Sequence, residues 1–544
     1  MKKIVLLCIG FIGLSSYAQM PLKQVVDSIV ESKLKETHPG IAVGIIKDGE
    51  IIYETYRGLS NLQHQVKFNA ATRSNIASTA KQFTALMVLD LALNKKLNLD
   101  HDIRKYLPSL YPNVKESIKI RHLINHTSGI RDYVELLDMV GDVWWRRFGL
   151  DNDDIMELLE KQHTIGFKPG SAYSYSNSNY NVLTKIIENV TNTSFNDYSK
   201  AFFKDLGMNE TSFVERYMRV IPNRANPYSD WGRGEWWEVP TVTKTNGEGF
   251  LFTTLKDQLI YEQAVQNATL NNNLLLIKSQ QPIENSEIKT YGFGLELEDK
   301  LGRTSVHHSG GTYGFHSQTY RFPEERLTIF IMSNNGNISS NLIAQEIAKL
   351  LFIKPPKAPK YDNRFYETNE SVKSGVIFGN YTYPNENSVV NIYEKDGQLF
   401  WKEKNFTIEM VLDSDNIYSF TNNPKLKVVF YKDEMVEFYP SGKTMAYKRR
   451  AQSMVSQTDL DGLVGNYYSN ELDLSFKIKL TEENELNLKL SGDNEYSNIV
   501  VYNESYMLAN NYFLKIHRDE LDQVTNISLT YGRALNIPFK KIAP

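Results

Sequence analysis

Residues 76–85 read IASTAKQFTA and begin an apolar-periodic run that extends to Leu93, which predicts a helix from Ser78 to Leu93. Residues three apart lie on one face of a helix, so we expect Ser78 and Lys81 side by side. A serine hydroxyl is a weak nucleophile unless a base stands within hydrogen-bond reach. A buried lysine can serve as that base, because burial disfavours its charged form. By itself, however, the spacing fits a helix-capping serine beside a solvated lysine equally well.

Two later segments carry polar residues in recognisable patterns. Residues 173–183 read YSYSNSNYNVL and residues 306–315 read VHHSGGTYGF. Together with Ser78 and Lys81 they resemble the three-motif signature of the serine β-lactamase and penicillin-binding-protein superfamily. The tyrosine in the second motif, and a histidine in place of lysine in the third, are similar to the class C β-lactamase branch. That branch includes DD-carboxypeptidases, D-aminopeptidases and esterases.

Shorter segments support the same resemblance and occur in the same order along the chain. They read IRHLINHTSG at 120–129, LGMNET at 206–211 and IMSNN at 331–335. The resemblance therefore covers roughly residues 25 to 353.

The resemblance implies an acyl-enzyme mechanism. Ser78 would attack the substrate carbonyl, and Lys81 and Tyr175 would handle the protons. An unperturbed tyrosine has a pKa of about 10, so Tyr175 needs a nearby cation to act as a base, and Lys81 would be that cation. Asn177 would hold Lys81 and the substrate amide. The backbone N–H groups of Ser78 and Gly311 would form the oxyanion hole, where each donor contributes about 3 kcal/mol in the transition state.

The third motif departs from the usual pattern, because His308 stands where lysine ordinarily holds the carboxylate of a β-lactam. The resemblance implies that His308, Ser309 and Gly310 bind substrate, with His308 donating to a substrate carboxylate or to Tyr175. Histidine is a weaker and pH-dependent partner for a carboxylate. We therefore expect inefficient β-lactam hydrolysis.

These motifs predict an exported serine hydrolase that acts through an acyl-enzyme on Ser78. Its substrate would be a small molecule or peptide, with cleavage of amide bonds in peptides or D-amino-acid-containing compounds. An esterase or class C-type β-lactamase on the same site stays open, as does a non-catalytic penicillin-binding or sensory protein. An α/β-hydrolase would need Gly-x-Ser-x-Gly and a zinc hydrolase a motif such as His-Glu-x-x-His, and the sequence contains neither. We expect no cofactor and no metal, and we interpret His126 as a structural hydrogen-bonding residue in a turn.

The composition argues for a folded protein and against a nucleic-acid binder. Of the 544 residues 41% are hydrophobic, and the formal net charge is −3, whereas phosphate contacts need a surplus of Lys and Arg. The first 19 residues combine two lysines, a short apolar run and a Ser-x-Ala site, which predicts a signal peptide at 1–18 and a periplasmic or secreted protein. Its removal would take away Cys8, the only cysteine. No later apolar run is long enough to predict a membrane span.

Strand patterns lie at both ends of the region that carries the motifs, with helical patterns between them. Residues 40–46 and 50–56 flank an Asp-Gly turn, and further strand patterns occur at 291–297, 317–322 and 327–332. Helical patterns occupy 22–34 and 342–351. This order predicts an α+β fold over residues 19–353, with a central antiparallel sheet flanked by helices. The resemblance implies a β-lactamase/transpeptidase-like fold with an additional helical subdomain.

The remainder of the chain has an all-β pattern after a proline-rich linker predicted at 354–362. Gly379-Asn380-Tyr381 and Gly465-Asn466-Tyr467 begin two similar units, which we place at 363–455 and 456–544. Each unit is long enough for a small barrel or sheet, or the pair could close one lipocalin-like barrel together. Relatives with D-amino-peptide activity carry C-terminal barrels that shape or cover the active site, and this layout is similar.

Overall fold

The computed structural model of the chain describes residues 22–143, 147–214, 216, 218–240, 242–286, 288–353, 355–366, 375–383, 389–403, 406–414, 416–440, 443–450, 455–503 and 505–542. The predicted signal peptide lies outside the described residues. Within them, no helix combines the length and apolar character that crossing a bilayer requires.

A six-stranded antiparallel sheet forms the centre of the N-terminal domain. Its strands come from two distant parts of the chain, and their spatial order is Glu296–Lys300, Arg303–Thr312, Phe315–Phe322, Leu327–Ser333, Ile41–Lys47 and Glu50–Arg57. The two parts join where Ile41 pairs with Ser333 and Lys47 pairs with Leu327. The strand Leu327–Ser333 is buried along its whole length, so helices must cover both faces of the sheet.

Helices from the two ends of this domain pack together on one face of the sheet. Leu22–Glu31 and Ser340–Leu351 contribute buried side chains such as Val26 and Ile347 to one apolar cluster with the strands. Leu255–Gln266 covers the opposite face, where a Cβ at Gly44 would come within 2.5 Å of the Leu259 side chain. The other described helices of this domain are Lys81–Leu93, Ile120–Ile124, Tyr133–Met139, Asn152–Glu160, Asn177–Thr191, Phe195–Asp205 and Leu274–Ser279.

Short elements connect these helices and strands. The short strands are Leu59–Asn61, Val66–Lys67, Ser74–Asn75, Ser212–Phe213, Tyr228–Ser229, Trp237–Glu238 and Leu251–Thr253. The 3-10 turns are Ala77–Ala80, Ile103–Lys105, Pro323–Glu325 and Asn363–Tyr366.

The α+β prediction is confirmed, with two local differences. The helix expected from Ser78 is a 3-10 turn at Ala77–Ala80, and the α-helix begins at Lys81. The strand expected at 291–297 begins only at Glu296. Gly294 explains this difference, because it has a φ of +70° and a Cβ there would come within 2.5 Å of the Lys81 backbone. The loop before the strand therefore packs against the start of helix Lys81–Leu93.

The tail forms two closed antiparallel barrels of eight strands each, so the pair does not share one barrel. The first barrel comprises Gly379–Thr382, Val389–Lys395, Gln398–Glu403, Phe406–Ser414, Ile417–Phe420, Asn423–Phe430, Glu434–Phe438 and Thr444–Arg450. Helix Gln457–Leu463 follows. The second barrel comprises Gly465–Ser469, Leu474–Leu480, Leu486–Leu490, Ser497–Asn503, Tyr506–Ala509, Tyr512–Arg518, Val524–Tyr531 and Ala534–Ile542.

A buried ion pair attaches the second barrel to the N-terminal domain. Arg131 lies 3.0 Å from Glu471, and their side chains are 1% and 2% exposed. The same guanidinium donates to the backbone oxygens of Leu535 and Asn536 in the barrel, at 2.7 and 2.8 Å. Glu471 also accepts from Thr164 at 2.9 Å. Because both charges are paired and hydrogen-bonded, this contact positions the barrel without leaving a buried charge unsatisfied.

Candidate active site

The segment before Ser78 is held in a strained turn. Ala77 has a φ of 47°, an uncommon backbone conformation for a residue with a side chain, which costs about 1–3 kcal/mol. Neighbouring groups enforce it, because Asn75 accepts from the Ala77 N–H at 2.8 Å and the Ser317 hydroxyl donates to the Ile76 carbonyl at 2.6 Å. Ser78 is left partly exposed at the start of the helical segment.

Lys81 is completely buried directly beside Ser78. Its Nζ lies 3.2 Å from Ser78 Oγ, 2.8 Å from Asn177 Oδ1 and 2.7 Å from the backbone oxygen of Glu248. Burial lowers the pKa of Lys81 to about 8, against the opposing effects of the Glu248 and Asp132 carboxylates. Lys81 therefore loses its proton more readily than a solvated lysine, and its neutral form is able to accept one.

Tyr175 completes this group of side chains. Its hydroxyl lies close enough to the Ser78 side chain to be influenced by it, and Lys81 Nζ lies 4.9 Å from its ring centroid. The ring packs against His126 with a centroid distance of 4.2 Å. Burial raises the pKa of Tyr175, and the neighbouring Ser78 side chain opposes that shift only in part. Tyr175 is therefore protonated in the resting site.

His126 lies in the turn where the sequence placed it. Its Nδ1 accepts from the backbone N–H of Ser176 at 3.1 Å, and the residue is fully buried. Burial lowers the pKa of His126 well below its usual value, so the ring is neutral. Its contacts hold the segment that carries Tyr175.

Asp132 positions Asn177. Asn177 is the first residue of helix Asn177–Thr191, and its backbone N–H donates to Asp132 Oδ2 at 2.7 Å. Asp132 Oδ1 caps the neighbouring helix by accepting from the Val134 N–H at 2.9 Å. One buried carboxylate thus joins the starts of two helices and orients the amide that holds Lys81.

The third motif lies on strand Arg303–Thr312, and here His308 differs from the expectation. Its Nδ1 donates to the Ser309 carbonyl at 2.6 Å, and its Nε2 accepts from the Tyr291 hydroxyl at 2.9 Å. Burial, with Lys81 nearby, lowers the pKa of His308 to about 3. The ring is neutral and both nitrogens are occupied, so it offers no donor to a substrate carboxylate or to Tyr175.

The two residues after His308 contact protein groups. The Ser309 hydroxyl donates to Gln318 Oε1 at 2.6 Å. A Cβ at Gly310 would overlap the Ile76 carbonyl oxygen, so this glycine lets the strand approach the turn that carries Ser78. Gly311, by contrast, is exposed and lines the cavity beside Ser78.

A cavity of about 60 Å³ opens beside Ser78. Its walls include Ser78, Tyr133, Asn177, Glu248 and Gly311. The structure thus brings residues of all three sequence motifs to one cleft, together with Tyr133 and Glu248, which the sequence reasoning did not single out.

Arg533 packs near Tyr175 and Asp132, although it belongs to the second barrel. It lies between strands Val524–Tyr531 and Ala534–Ile542, and its guanidinium carbon is 5.7 Å from the Tyr175 ring centroid. Its Nη1 lies 3.0 Å from Asp132 Oδ2, and its Nε donates to Glu135 at 2.6 Å. These carboxylates raise the pKa of Arg533 despite its burial. No motif in the sequence points to this residue.

One group of side chains in the described residues has the spacing of a metal site. Ligand atoms of Glu296, Glu298 and His307 lie within 4.8 Å of one another. Glu298 Oε1 already contacts Lys300 at 2.7 Å and His307 at 3.2 Å. The Lys300 ammonium therefore already supplies a positive charge next to the Glu298 carboxylate.

The sheet-and-helix fold and the adjoining Ser78, Lys81 and Tyr175 side chains define a serine hydrolase of the β-lactamase and penicillin-binding type. The family model described as Beta-lactamase matches residues 24–350, and the chain therefore belongs to this family.

The chain also resembles individual proteins, at low sequence identity. It is 27% identical over 345 residues to a D-aminopeptidase of Gluconobacter oxydans, an alignment that covers 62% of this chain and 64% of the relative. The chain thus spans less than two thirds of the length of this curated relative.

Two solved structures share the fold. The octameric penicillin-binding protein homologue from Pyrococcus abyssi has a TM-score of 0.54 at 22% identity, covering 78% of this chain and 99% of that one. The D-amino acid amidase from Ochrobactrum anthropi SV3, complexed with D-phenylalanine, has a TM-score of 0.50 at 18% identity. That match covers 60% of this chain and 98% of the amidase.

Proposed function

We propose that this chain is an exported serine hydrolase that cleaves amide bonds of D-amino-acid-containing substrates through an acyl-enzyme on Ser78. The observation that carries the proposal is the buried amine of Lys81, 3.2 Å from Ser78 Oγ. A hydroxyl beside a buried base of lowered pKa is the arrangement that activates a serine nucleophile.

In acylation, neutral Lys81 takes the Ser78 proton while the bond from Oγ to the carbonyl carbon forms. The backbone N–H groups of Ser78 and Gly311 donate to the resulting oxyanion. The scissile C–N bond then breaks, and the leaving nitrogen takes a proton from Tyr175, which regains one from Lys81. In the second half a water molecule attacks the ester carbon, and neutral Lys81 takes one proton from the water. The bond from that carbon to Ser78 Oγ then breaks, Oγ takes a proton from the pair of Lys81 and Tyr175, and the carboxylic acid is released.

Two observations support a D-amino amide over a β-lactam as substrate. The curated relative is a D-aminopeptidase, and one protein of the same fold is a D-amino acid amidase. In addition, His308 is neutral with both nitrogens occupied, so the third motif provides no cation for a β-lactam carboxylate.

The test compares wild type with Ser78→Ala on the p-nitroanilides of D- and L-alanine, a short-chain ester and a penicillin. We expect turnover of the D-anilide by wild type, none by the variant, and fluorophosphonate labelling of wild type only. Labelling that persists in Ser78→Ala would remove Ser78 as nucleophile. Turnover of the ester alone would indicate an esterase.

Export is tested separately, because it rests on residues 1–18 alone. Expression of the full chain in a Gram-negative bacterium is expected to give a mature protein outside the cytoplasm that begins at Gln19. Recovery of uncleaved protein from the cytoplasm would contradict export without touching the catalytic proposal.

A further inference from the structure

The cavity beside Ser78 contains a carboxylate that the proposed mechanism does not use. Glu248 Oε1 accepts from the Tyr133 hydroxyl at 3.0 Å and from Thr245 Oγ1 at 2.9 Å. Its Oε2 lies 3.8 Å from Lys81 Nζ, beyond hydrogen-bond distance, because Lys81 bonds to the backbone oxygen of Glu248 instead. Among the residues that line the cavity, Glu248 is the single carboxylate.

The described side chains around Ser78 include two cations and three carboxylates, Asp132, Glu135 and Glu248. The cations are Lys81 and Arg533, and Arg533 already pairs with both Asp132 and Glu135. The cation that remains for Glu248 is thus Lys81, and burial disfavours the charged form of Lys81. Burial also raises the pKa of Glu248, so its charged form is short of stabilising partners. A cation entering the cavity would supply one.

The geometry of an amino acid brings its amine to this place. The α-nitrogen is two bonds from the carbonyl carbon, a separation of about 2.5 Å. When Ser78 Oγ attacks that carbon, the α-amine must therefore lie in or at the edge of the same small cavity. A buried ammonium requires a carboxylate partner, because desolvating an unpaired charge is costly.

We propose that Glu248 binds the protonated α-amino group of the residue whose carbonyl Ser78 attacks, so that the substrate carries a free amino terminus. This assignment rests on the proposed amide hydrolysis. It makes Glu248 a specificity-determining residue that contacts the substrate, in addition to its backbone contact with Lys81.

The experiment measures kcat/KM for D-alanine p-nitroanilide and for propanoic acid p-nitroanilide, which differs only in lacking the amine. We expect wild type to prefer the amine-bearing compound, and Glu248→Gln to reduce that preference by about 10- to 100-fold, the range for a charge-assisted hydrogen bond. Glu248→Asp, which keeps the charge but shortens its reach, should lose less. Glu135→Gln is the matched control, because Glu135 faces Arg533 and does not line the cavity. It should leave the preference unchanged.

Equal loss on both anilides in Glu248→Gln would overturn the proposal, because it would mean that Glu248 acts only on Lys81. A binding measurement covers the case in which wild type cleaves neither anilide and the proposed hydrolysis itself fails. D-alaninamide and propanamide are then compared as protectants of Ser78 against fluorophosphonate labelling. Protection specific to the amine that disappears in Glu248→Gln supports the subsite, and equal protection by the two amides overturns it.

Discussion

Arg533 of the second barrel lies 3.0 Å from Asp132, the carboxylate that orients Asn177 in the N-terminal domain. The two residues are 401 positions apart in the chain, yet both influence the amine of Lys81. Arg533 balances Asp132, Asp132 holds the Asn177 backbone, and the Asn177 side chain holds Lys81. The barrel thus takes part in the electrostatics of the cleft.

We expect Arg533→Met to shift the pH profile of kcat/KM toward higher pH and to lower its plateau by about tenfold or more. The guanidinium lowers the pKa of Lys81, and its loss also leaves Asp132 uncompensated, so both changes make Lys81 harder to deprotonate. Arg518→Met is the control, because Arg518 of the same barrel pairs with Asp459 in helix Gln457–Leu463 rather than with a described residue of the N-terminal domain. An unshifted profile in Arg533→Met would show that Arg533 only holds the barrel in place.

In wild type we expect kcat/KM to rise with pH through an apparent pKa of about 8. Lys81 accepts the Ser78 proton only when neutral, and burial lowers its pKa to about 8, so the active fraction grows as pH increases through that value. The measurement is kcat/KM for the D-anilide from pH 6 to 10. A rate that falls over this interval would contradict a neutral Lys81.

Tyr175→Phe is expected to reduce turnover by about a hundredfold or more while the fold is kept, since proton transfer by a positioned side chain commonly contributes 10²–10⁴-fold. The ring and its packing against His126 remain in this variant. Stopped-flow kinetics and a melting curve check the two parts of the prediction. A near-normal rate would remove Tyr175 from proton transfer.

Arg131→Met is expected to destabilise the protein by about 3–5 kcal/mol, because it leaves Glu471 buried without its cation. Glu471→Gln added to Arg131→Met should cost less than the two single changes together, since no unpaired charge remains. Urea unfolding of the four proteins gives the coupling energy. Additive effects would show that the ion pair contributes no interaction between domain and barrel.

Gly310→Ala and Gly311→Ala form a matched pair. A Cβ at Gly310 would overlap the Ile76 carbonyl, whereas at Gly311 its nearest neighbour is the His316 ring at 3.6 Å. We expect Gly310→Ala to cost about 1–3 kcal/mol and most of the activity, because the strand must move away from the nucleophile turn. Gly311→Ala should change stability by less than about 0.5 kcal/mol. Equal melting temperatures for the two variants would contradict this packing.

Local spacing explains why the sequence predicted much of the site. Ser78 and Lys81 are one turn apart, and helical geometry alone brings them together. The second and third motifs were recognisable because short runs of polar residues and glycines stand out against apolar strands. The same reasoning misjudged His308, since nothing in residues 306–315 indicates that Tyr291, from a separate loop, bonds to its Nε2.

Local patterns were enough to predict the α+β class, the two β units of the tail and the helix that follows Ser78, because periodicity and spacing are properties of neighbouring positions. Packing between distant segments, in contrast, closes the tail into two barrels, brings Arg533 to Asp132 and places Glu248 in the wall of the cavity beside Ser78. Such contacts join residues hundreds of positions apart. They depend on how whole domains pack, and that packing leaves no pattern in the local sequence.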